Sequence, residues 1–466
     1  MTTDLSTPRR IHIVGIGGSG MSAIASVLVA MGHSVGGSDQ ADSAGLERLR
    51  AEGVRVHVGH GAEHLTSAAG PPEVVAVSTA IPADNPEVAA AAALGIPVLR
   101  RAEILAAIAA TRRTIAVSGT HGKTTTSAML ASVMRRAGLD PSCIVGGDVH
   151  GIGGGARWGT GEWFVVEADE SDGTFVELGA EIAVVTNVEA DHLDHYGDLA
   201  AIERAFDRFL ADAPGPNVVC ADDPGAARLG RARGARTYGT AVDADYRIVD
   251  PQIDRLGSRF TLVHQGAPLG EVTLPIPGLH NIRNATAALV AGMAAGASFE
   301  AGRDALADYA GVGRRFERRG FEAGITVVDD YAHNPGKVAA VLAGARAGRW
   351  GRVVAVFQPH RYSRTQDLWR EFADSFVAAD LVVVCGVYGA GEARRPGVTG
   401  KLIVDAVLDA HPRSRVAWLP DRVDVLRYLA VELRDGDLCL TLGAGDVTTL
   451  ADELLPVLAA RTGERA

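Results

Sequence analysis

The chain has 466 residues, 47% of them hydrophobic and 22% charged, with a formal net charge of −11. That length exceeds what one hydrophobic core serves, so several domains are expected, and the acidic balance excludes nucleic acid as the main partner, because a phosphate backbone selects a basic face. The four cysteines, Cys143, Cys220, Cys385 and Cys439, show no CxxC spacing, and no apolar run is long enough to span a bilayer, so a cytoplasmic protein with reduced thiols and no membrane partner is expected.

The first hundred residues alternate short β-rich runs with helical stretches. "IHIVGIG" (11–17) reads as a strand, "GMSAIASVLVAMG" (20–32) as a helix and "SVGGSD" (34–39) as the next strand. "VVAVSTAI" (74–81) and "IPVLR" (96–100) follow as strands, a βαβ pattern that predicts a parallel sheet. The run Gly15-Ile16-Gly17-Gly18-Ser19-Gly20 fits GxGxxG between a strand and a helix, and Asp39 closes the next strand at the distance of a ribose-binding acid. The loop reports a diphosphate and a ribose, and both NAD and a uridine diphosphate meet that description.

A second unit starts at "TIAVSG" (114–119), so the first boundary falls near 107 and the first domain is 1–107. Its strand runs into Gly119-Thr120-His121-Gly122-Lys123-Thr124-Thr125 and then a helix. Backbone amides of such a loop, with the helix N-terminus behind them, bind phosphate oxygens. Lys123 would neutralise the β and γ phosphates of ATP, and the Thr124 hydroxyl would ligate Mg²⁺. The loop is a shortened form of the GxxxxGK[ST] pattern, with Val117 where the first Gly would stand.

Two acidic clusters follow predicted strands in this unit. "VVEADESDGTF" (165–175) carries Glu167, Asp169, Glu170 and Asp172, and "TNVEADHLDHYG" (186–197) carries Asp191, His192, Asp194 and His195. Ligands of open α/β sheets gather at the carboxyl ends of strands, so both clusters are expected beside Lys123 and Thr124. Carboxylates with an imidazole suit Mg²⁺ or Mn²⁺ better than zinc. Residues 245–277 alternate apolar residues with Gly turns and predict antiparallel hairpins on this domain, which closes at 313.

The last domain, 314–466, has predicted strands at "ITVVDDY" (325–331), "RVVAVFQP" (352–359), "LVVVCGVY" (381–388) and "DLCLTLGAG" (437–445). At its junctions and strand ends stand "GLHNIRNA" with His280 and Asn284, "GVGRRFE" with Arg314 and Arg315, "VVDDYAHNP" with Asp329, Asp330, Tyr331 and His333, and "FQPHRYSRT" with His360, Arg361, Tyr362 and Arg364. Arginines in such places bind carboxylates bidentately or steady a phosphoryl group in transfer.

Taken together in this order, "GIGGSGMSAIA", "GTHGKTTT", "EADESD", "TNVEADHLDHYG", "HNIRNA", "GVGRRFE", "DDYAHNP" and "HRYSRT" resemble the Mur ligases of peptidoglycan synthesis, over essentially the whole chain. The resemblance implies three α/β domains: a Rossmann-like N-terminal domain for a UDP-sugar, a P-loop ATPase-like central domain with a small antiparallel sheet, and a Rossmann-like C-terminal domain for the amino acid. It implies that Gly17, Gly18, Ser19 and Gly20 cradle a UDP diphosphate, with Asp39 and Ser78 in the same site. ATP would fall to Gly119, Thr120, His121, Gly122, Lys123, Thr124 and Thr125, with His280, Asn284, Arg315 and Asp330 on adenosine and phosphate. Thr124, Glu167 and His192 would hold Mg²⁺ (Mn²⁺ as a substitute), Tyr331, His333, Arg361 and Arg364 the amino acid, and Lys123, Glu167, His192 and Arg315 would carry catalysis.

Within that family the pattern is most similar to the member that joins L-alanine to the lactyl carboxylate of UDP-N-acetylmuramate through an acyl phosphate, working as a monomer or weak homodimer. Members acting later carry a lysine, carbamylated in the family, in the helix after "DHLD"; Phe206 stands there. "DDYAHNP" replaces the more frequent "DDYGHHP" with Ala332 and Asn334, which leaves glycine and serine beside alanine as acceptors. His192 and His333 both remain candidates for the base that takes the proton of the amine. A ligase returning a recycled tripeptide to UDP-muramate, and an NAD-dependent nucleotide-sugar oxidoreductase that would use the first glycine loop alone, stand as alternatives.

Overall fold

The computed structural model describes residues 3–66, 70–78, 80–151 and 153–463. The side chain of Asp194, a member of the second acidic cluster, lies outside the described residues. Three sheets define the three-domain α/β architecture. The first sheet holds β1 (Arg10–Val14), β2 (Ser34–Asp39), β3 (Arg55–Val58), β4 (Val74–Val77) and β5 (Val98–Arg100) in the order β3-β2-β1-β4-β5, all parallel. The chain reverses direction of winding at β1, so the glycine loop after β1 sits at the switch point where such sheets bind ligands.

The second sheet holds β6 (Arg113–Ser118), β7 (Ser142–Ile144), β8 (Ala156–Arg157), β9 (Trp163–Glu167), β10 (Ile182–Val185), β11 (Val218–Cys220), β12 (Arg236–Gly239), β13 (Tyr246–Ile253), β14 (Ser258–His264) and β15 (Ala267–Leu274). Its order, β15-β14-β13-β12-β11-β10-β6-β9-β7-β8, places β6 between β9 and β10. The predicted hairpins at 245–277 are β13 to β15, which continue this sheet at its edge. The third sheet holds β16 (Glu317–Glu322), β17 (Ile325–Asp330), β18 (Val353–Phe357), β19 (Leu381–Val384), β20 (Val416–Trp418) and β21 (Leu438–Leu442) in the order β16-β17-β21-β18-β19-β20. Parallel strands covered on both faces read as unbroken apolar runs, and every residue of β18, β19 and β21 is buried.

The chain forms two compact units. One comprises Met1–Asp250, Phe260–Val272 and Arg283–Ala310, and the other Pro251–Arg259, Thr273–Ile282 and Gly311–Ala466. Within the first unit the N-terminal and central sheets share one continuous core, in which Ile104 and Ile108 of the helix Arg101–Ala109 join Phe175, Leu178, Phe206 and Phe209. The helix Leu199–Asp212 is capped by Asp198, which accepts from Ala201 N at 2.7 Å, and buries Ile202, Phe206, Phe209 and Leu210 on one face, the spacing of an amphipathic helix. Phe206 is fully buried, with its ring 5.1 Å from that of Phe175, so a packed aromatic fills this position. In the second unit the hairpin tip packs by Arg255, which donates to the Arg349 carbonyl and lies over Trp350.

All four cysteines are buried and free. No helix among the described residues is long and apolar enough to cross a membrane.

Candidate active site

The phosphate loop of the central domain leaves β6 at Ser118 and re-enters regular structure at the helix Lys123–Arg136. Gly122 caps that helix with φ +83°, and Gly119 turns at φ +135°, both in the left-handed region that favours glycine. A methyl group at Gly119 would stand 2.1 Å from Thr186 Oγ1, and one at Gly122 would stand 2.5 Å from Asn284 Oδ1. Sterics therefore reserve both positions for glycine and bring Asn284 onto the loop.

The loop is held from behind by the segment after β10. Asn187 Oδ1 accepts the His121 amide at 2.8 Å, its Nδ2 donates to the His121 carbonyl at 3.0 Å, and its own carbonyl accepts the Thr120 amide at 3.1 Å. Thr186 Oγ1 donates to the same His121 carbonyl, and Thr120 Oγ1 accepts the Glu189 amide. The first helical turn carries no side-chain cap and no acidic residue, leaving its amides directed out of the loop, the arrangement that receives an anion.

The neighbouring strand ends supply the carboxylates. Thr124 Oγ1 donates to Glu167 Oε1 at 3.1 Å, and Glu167 Oε2 accepts the Gly146 amide at 2.7 Å. Lys123 Nζ donates to the Gly119 carbonyl and to Glu170 Oε1, both at 2.8 Å. Glu170 is buried; burial raises its pKa against the opposing pull of Lys123, and its Oε2 is buried without a hydrogen-bond partner. His192, at φ +54°, heads the short helix Leu193–Tyr196 with Nε2 4.0 Å from Glu170 Oε1 and 3.9 Å from Asp191 Oδ2. The structure thus unites Thr124 with Glu167 and sets His192 beside Glu170. Among the described residues no set of three or more His, Cys, Asp and Glu side chains is closed around a metal position.

In the N-terminal domain the glycine loop hangs on the end of β2. The Ser38 carbonyl accepts the Gly15 and Ile16 amides at 2.8 and 3.0 Å, and Asp39 Oδ2 accepts the Gly17 amide at 2.8 Å. Asp39, expected on a ribose, therefore spends one carboxylate oxygen on the loop itself. Ser78 closes the other side, its Cβ 3.1 Å from where a Gly15 methyl would lie. The helix Ser19–Ala30 begins at Gly18 with no side-chain cap.

Arg101 stands over this helix start. A methyl at Gly20 would lie 2.9 Å from its Nε, which is buried without an acceptor, and its Nη1 is 4.0 Å from Asp169 Oδ2. A guanidinium set against the positive end of a helix is electrostatically unfavourable until an anion lies between them. Arg101 therefore stands beside the glycine loop of the first domain, with an unpartnered donor, and faces the acidic strand end of the second.

The C-terminal unit carries the remaining motifs. Buried Asp330 accepts the Phe316 amide on Oδ2 and the Ala332 amide on Oδ1, each at 2.8 Å; burial raises its pKa, with the Arg315 charge opposing. Arg314 serves as a brace, donating to Asp329 and to the carbonyls of Gly443 and Gly445. Both Arg314 and Arg315 lie over the Tyr331 ring, at 5.0 and 5.4 Å. The His280 ring is 3.0 Å from where a Gly344 methyl would lie, so His280 and Asn284, neighbours in one motif, serve different units.

Tyr331, His333, His360 and Tyr388 form a chain of rings, with centroids 5.1, 5.7 and 5.8 Å apart in turn. His333 Nδ1 lies 2.8 Å from the Tyr331 carbonyl, which fixes the proton on Nδ1 and leaves Nε2 as an acceptor. Arg364 donates to His360 Nδ1 at 2.9 Å. Arginine only donates, so the proton of neutral His360 lies on Nε2. Burial pushes the His333 pKa down to about 3. Burial, with Arg364 and Arg361 adding to it, pushes that of His360 down to about 4. Arg361 heads the helix Tyr362–Leu368 at φ +67°, and its amide donates to the Tyr388 carbonyl at 2.7 Å.

Residues 10–113 match the Mur ligase family catalytic domain, residues 117–292 the Mur ligase middle domain, and residues 314–445 the Mur ligase glutamate ligase domain. The chain belongs to the Mur ligase family. It is 50% identical over 461 residues to the UDP-N-acetylmuramate–L-alanine ligase of Kineococcus radiotolerans, covering 97% of each chain. It is 47% identical over 461 residues to that of Acidothermus cellulolyticus, covering 97% of this chain and 95% of the relative. The crystal structure of the UDP-N-acetylmuramate-alanine ligase of Thermotoga maritima matches with TM-score 0.81 at 28% identity, over 98% of this chain and all of the other. A murein peptide ligase from Psychrobacter arcticus matches with TM-score 0.69 at 26% identity, over 97% and 99% of the two chains.

Four residues with a part in these sites were not singled out from the sequence. Asn187 and Thr186 lay inside a quoted motif whose charged members drew attention. Arg101 sits in an arginine pair, Arg100-Arg101, that reads as a helix start. Tyr388 ended an apolar strand and carried no signal of its own.

Proposed function

We propose that this Mur ligase joins L-alanine to the lactyl carboxylate of UDP-N-acetylmuramate with cleavage of ATP to ADP and phosphate. The observation that carries the reading is the pair of phosphate cradles in one unit, at Gly15–Gly20 and Gly119–Lys123, with Arg101 reaching from the first towards the acidic strand end of the second. A nucleoside triphosphate in one cradle and a nucleotide-diphosphate sugar in the other, with the reacting carboxylate on the sugar, account for two of the three substrates of this reaction. The full-length likeness to UDP-N-acetylmuramate–L-alanine ligases supports the same choice.

The chemistry follows from the residues. A carboxylate is a poor electrophile and needs activation before an amine can attack it. One lactyl oxygen attacks the γ-phosphorus of ATP, the bond to the ADP oxygen breaks, and an acyl phosphate forms. Two anions meet in that step, and Lys123 with the loop amides stabilises the charge on the phosphoryl oxygens. Thr124, Glu167 and His192 offer two hard oxygen donors and an imidazole, and the unpartnered Glu170 Oε2 adds a further acceptor. This set suits Mg²⁺, which when bound would neutralise phosphate charge.

In the C-terminal unit Arg361 and Arg364 would take the alanine carboxylate, Arg364 being oriented by His360. His333 is neutral and presents Nε2 as an acceptor beside Tyr331, suited to the ammonium end. The neutral amine then attacks the acyl carbon, phosphate departs with the former lactyl oxygen, and the amine proton passes to a base.

The test is isotopic. UDP-N-acetylmuramate labelled with ¹⁸O in the lactyl carboxylate should deliver one labelled oxygen to the released phosphate. Unlabelled phosphate would contradict activation of that carboxylate.

A further inference from the structure

Away from both phosphate loops, the N-terminal domain buries a carboxylate. Glu87 lies in the first turn of the helix Pro86–Ala93, and none of its surface reaches solvent. An ion so placed is retained only where its partners are well arranged, since an apolar side chain would pack at lower cost. Five groups from three segments of the chain face it. Ser38 Oγ donates to Oε2 at 2.5 Å, His64 Nδ1 stands 2.5 Å from Oε1, and the Gly61 amide donates to Oε1 at 3.3 Å. His12 Nε2 and His60 Nδ1 lie 3.5 Å from Oε2. Burial pushes the Glu87 pKa up, but the nearby His12 and the bonds with Ser38 and His64 win and hold it down at about 2.

The proton positions can be read from this set. The single hydroxyl hydrogen of Ser38 goes to Glu87, so Ser38 Oγ must accept from His60 Nδ1, 2.9 Å away. Ser38 is then locked by its side chain between an anion and an imidazole. Its backbone carbonyl is the group that holds the Gly15 and Ile16 amides, and the next residue, Asp39, holds Gly17. Three successive amides of the glycine loop thus depend on two successive residues of β2, the first of which is fixed by Glu87.

We infer that Glu87 is a positioning residue for the nucleotide-sugar site, acting through Ser38 on the glycine loop. The inference rests on the reading that this loop takes the UDP diphosphate. Glu87 touches no substrate; it sets where the loop amides point. A glutamine keeps the shape of Glu87 but loses the charge and one acceptor oxygen, so it serves the His64 and Ser38 sides together only if one of those bonds reverses its direction.

The test uses the full-length protein and four forms: wild type, Glu87→Gln, Ser38→Ala and the double variant. Binding of UDP-N-acetylmuramate and of ATP is measured by calorimetry, with steady-state KM values alongside. Loss of one charge-assisted hydrogen bond should weaken UDP-N-acetylmuramate by about tenfold in each single variant and leave ATP within about twofold. The double variant should be no weaker than either single one, because both cut the same connection. Equal weakening of both nucleotides, additive losses in the double variant, or a lowered Tm with unchanged UDP-N-acetylmuramate affinity would overturn the inference. Ser38→Ala, a small change that keeps the backbone carbonyl, carries the test if Glu87→Gln does not fold. Failure of the wild type to bind UDP-N-acetylmuramate would instead remove the reading of the loop, and the inference with it.

Discussion

Lys123 Nζ lies 2.8 Å from Glu170 Oε1 in a largely buried ion pair at the mouth of the phosphate loop. The second oxygen of that carboxylate is buried without a partner, and burial drives its pKa upward. The pair therefore has two functions. Glu170 keeps the flexible lysine over the loop, and Lys123 makes an otherwise costly buried anion tolerable. Removing one member of a buried pair costs about 3–5 kcal/mol because the other is stranded. Lys123→Ala is expected to lower the unfolding free energy by about 3 kcal/mol and to reduce turnover by about a thousandfold. The double variant Lys123→Ala with Glu170→Gln should regain most of that stability and none of the activity. Denaturant unfolding beside phosphate release separates the two effects, and a fully stable single variant would contradict the role given to the pair.

Asn187 is the main prop of the phosphate loop, with three hydrogen bonds to Thr120 and His121. Asn187→Ala removes the two made by its side chain while the backbone bond stays. Each is worth about 1 kcal/mol when lost from a partly buried site, so the ATP KM should rise roughly tenfold. The KM for the UDP-sugar should not move, since its loop hangs on β2. Initial-rate kinetics with each substrate varied in turn decides this; equal changes in both KM values would show general loosening of the domain.

Phe206 occupies a closed apolar site against Phe175. Phe206→Lys is expected to cost at least about 4 kcal/mol, as an unpaired buried charge does, and to gain no carbamate. Circular dichroism against denaturant reads the first, and mass spectrometry under bicarbonate reads the second. A stable, carbamylated variant would mean that the position is more open than its packing indicates.

The two depressed histidines make the C-terminal unit acid-sensitive. His333 and His360 have native pKa values of about 3 and about 4, against 6.5 for an ordinary histidine. Between those limits the unfolded chain binds more protons than the native one, so stability rises with pH. The contribution is complete above pH 6.5 and is lost as pH falls towards 4 and then 3. His333→Asn, which keeps a donor for the Tyr331 carbonyl, should flatten the fall of the unfolding midpoint between pH 6.5 and 4. An unchanged slope would count against a neutral, part-buried His333.

Much of this was legible in the sequence because the signals were local. β6 and the loop-to-helix transition at Lys123 follow from a buried apolar run ending at a glycine, and both were placed within a residue or two. The carboxylates Glu167 and Glu170 were read to the right edge of the sheet, since both follow a strand. What the sequence withheld is which strand is neighbour to which. Only with β6 between β9 and β10 does Asn187 come to lie behind His121, 66 positions earlier in the chain. Arg101 was equally hidden, because its meaning depends on a helix packed across two domains. Glu87 was not singled out from the sequence: it precedes a run of alanines, and nothing local marked it as buried.

The central claim is that both phosphate cradles serve one reaction. The direct measurement is phosphate release with ATP, Mg²⁺ and UDP-N-acetylmuramate, with each amino acid and a murein tripeptide supplied in turn. Release that requires UDP-N-acetylmuramate and L-alanine together, with ADP formed in equal amount, is the expected result. Release with the tripeptide and not with alanine, or no release with any acceptor, would contradict it.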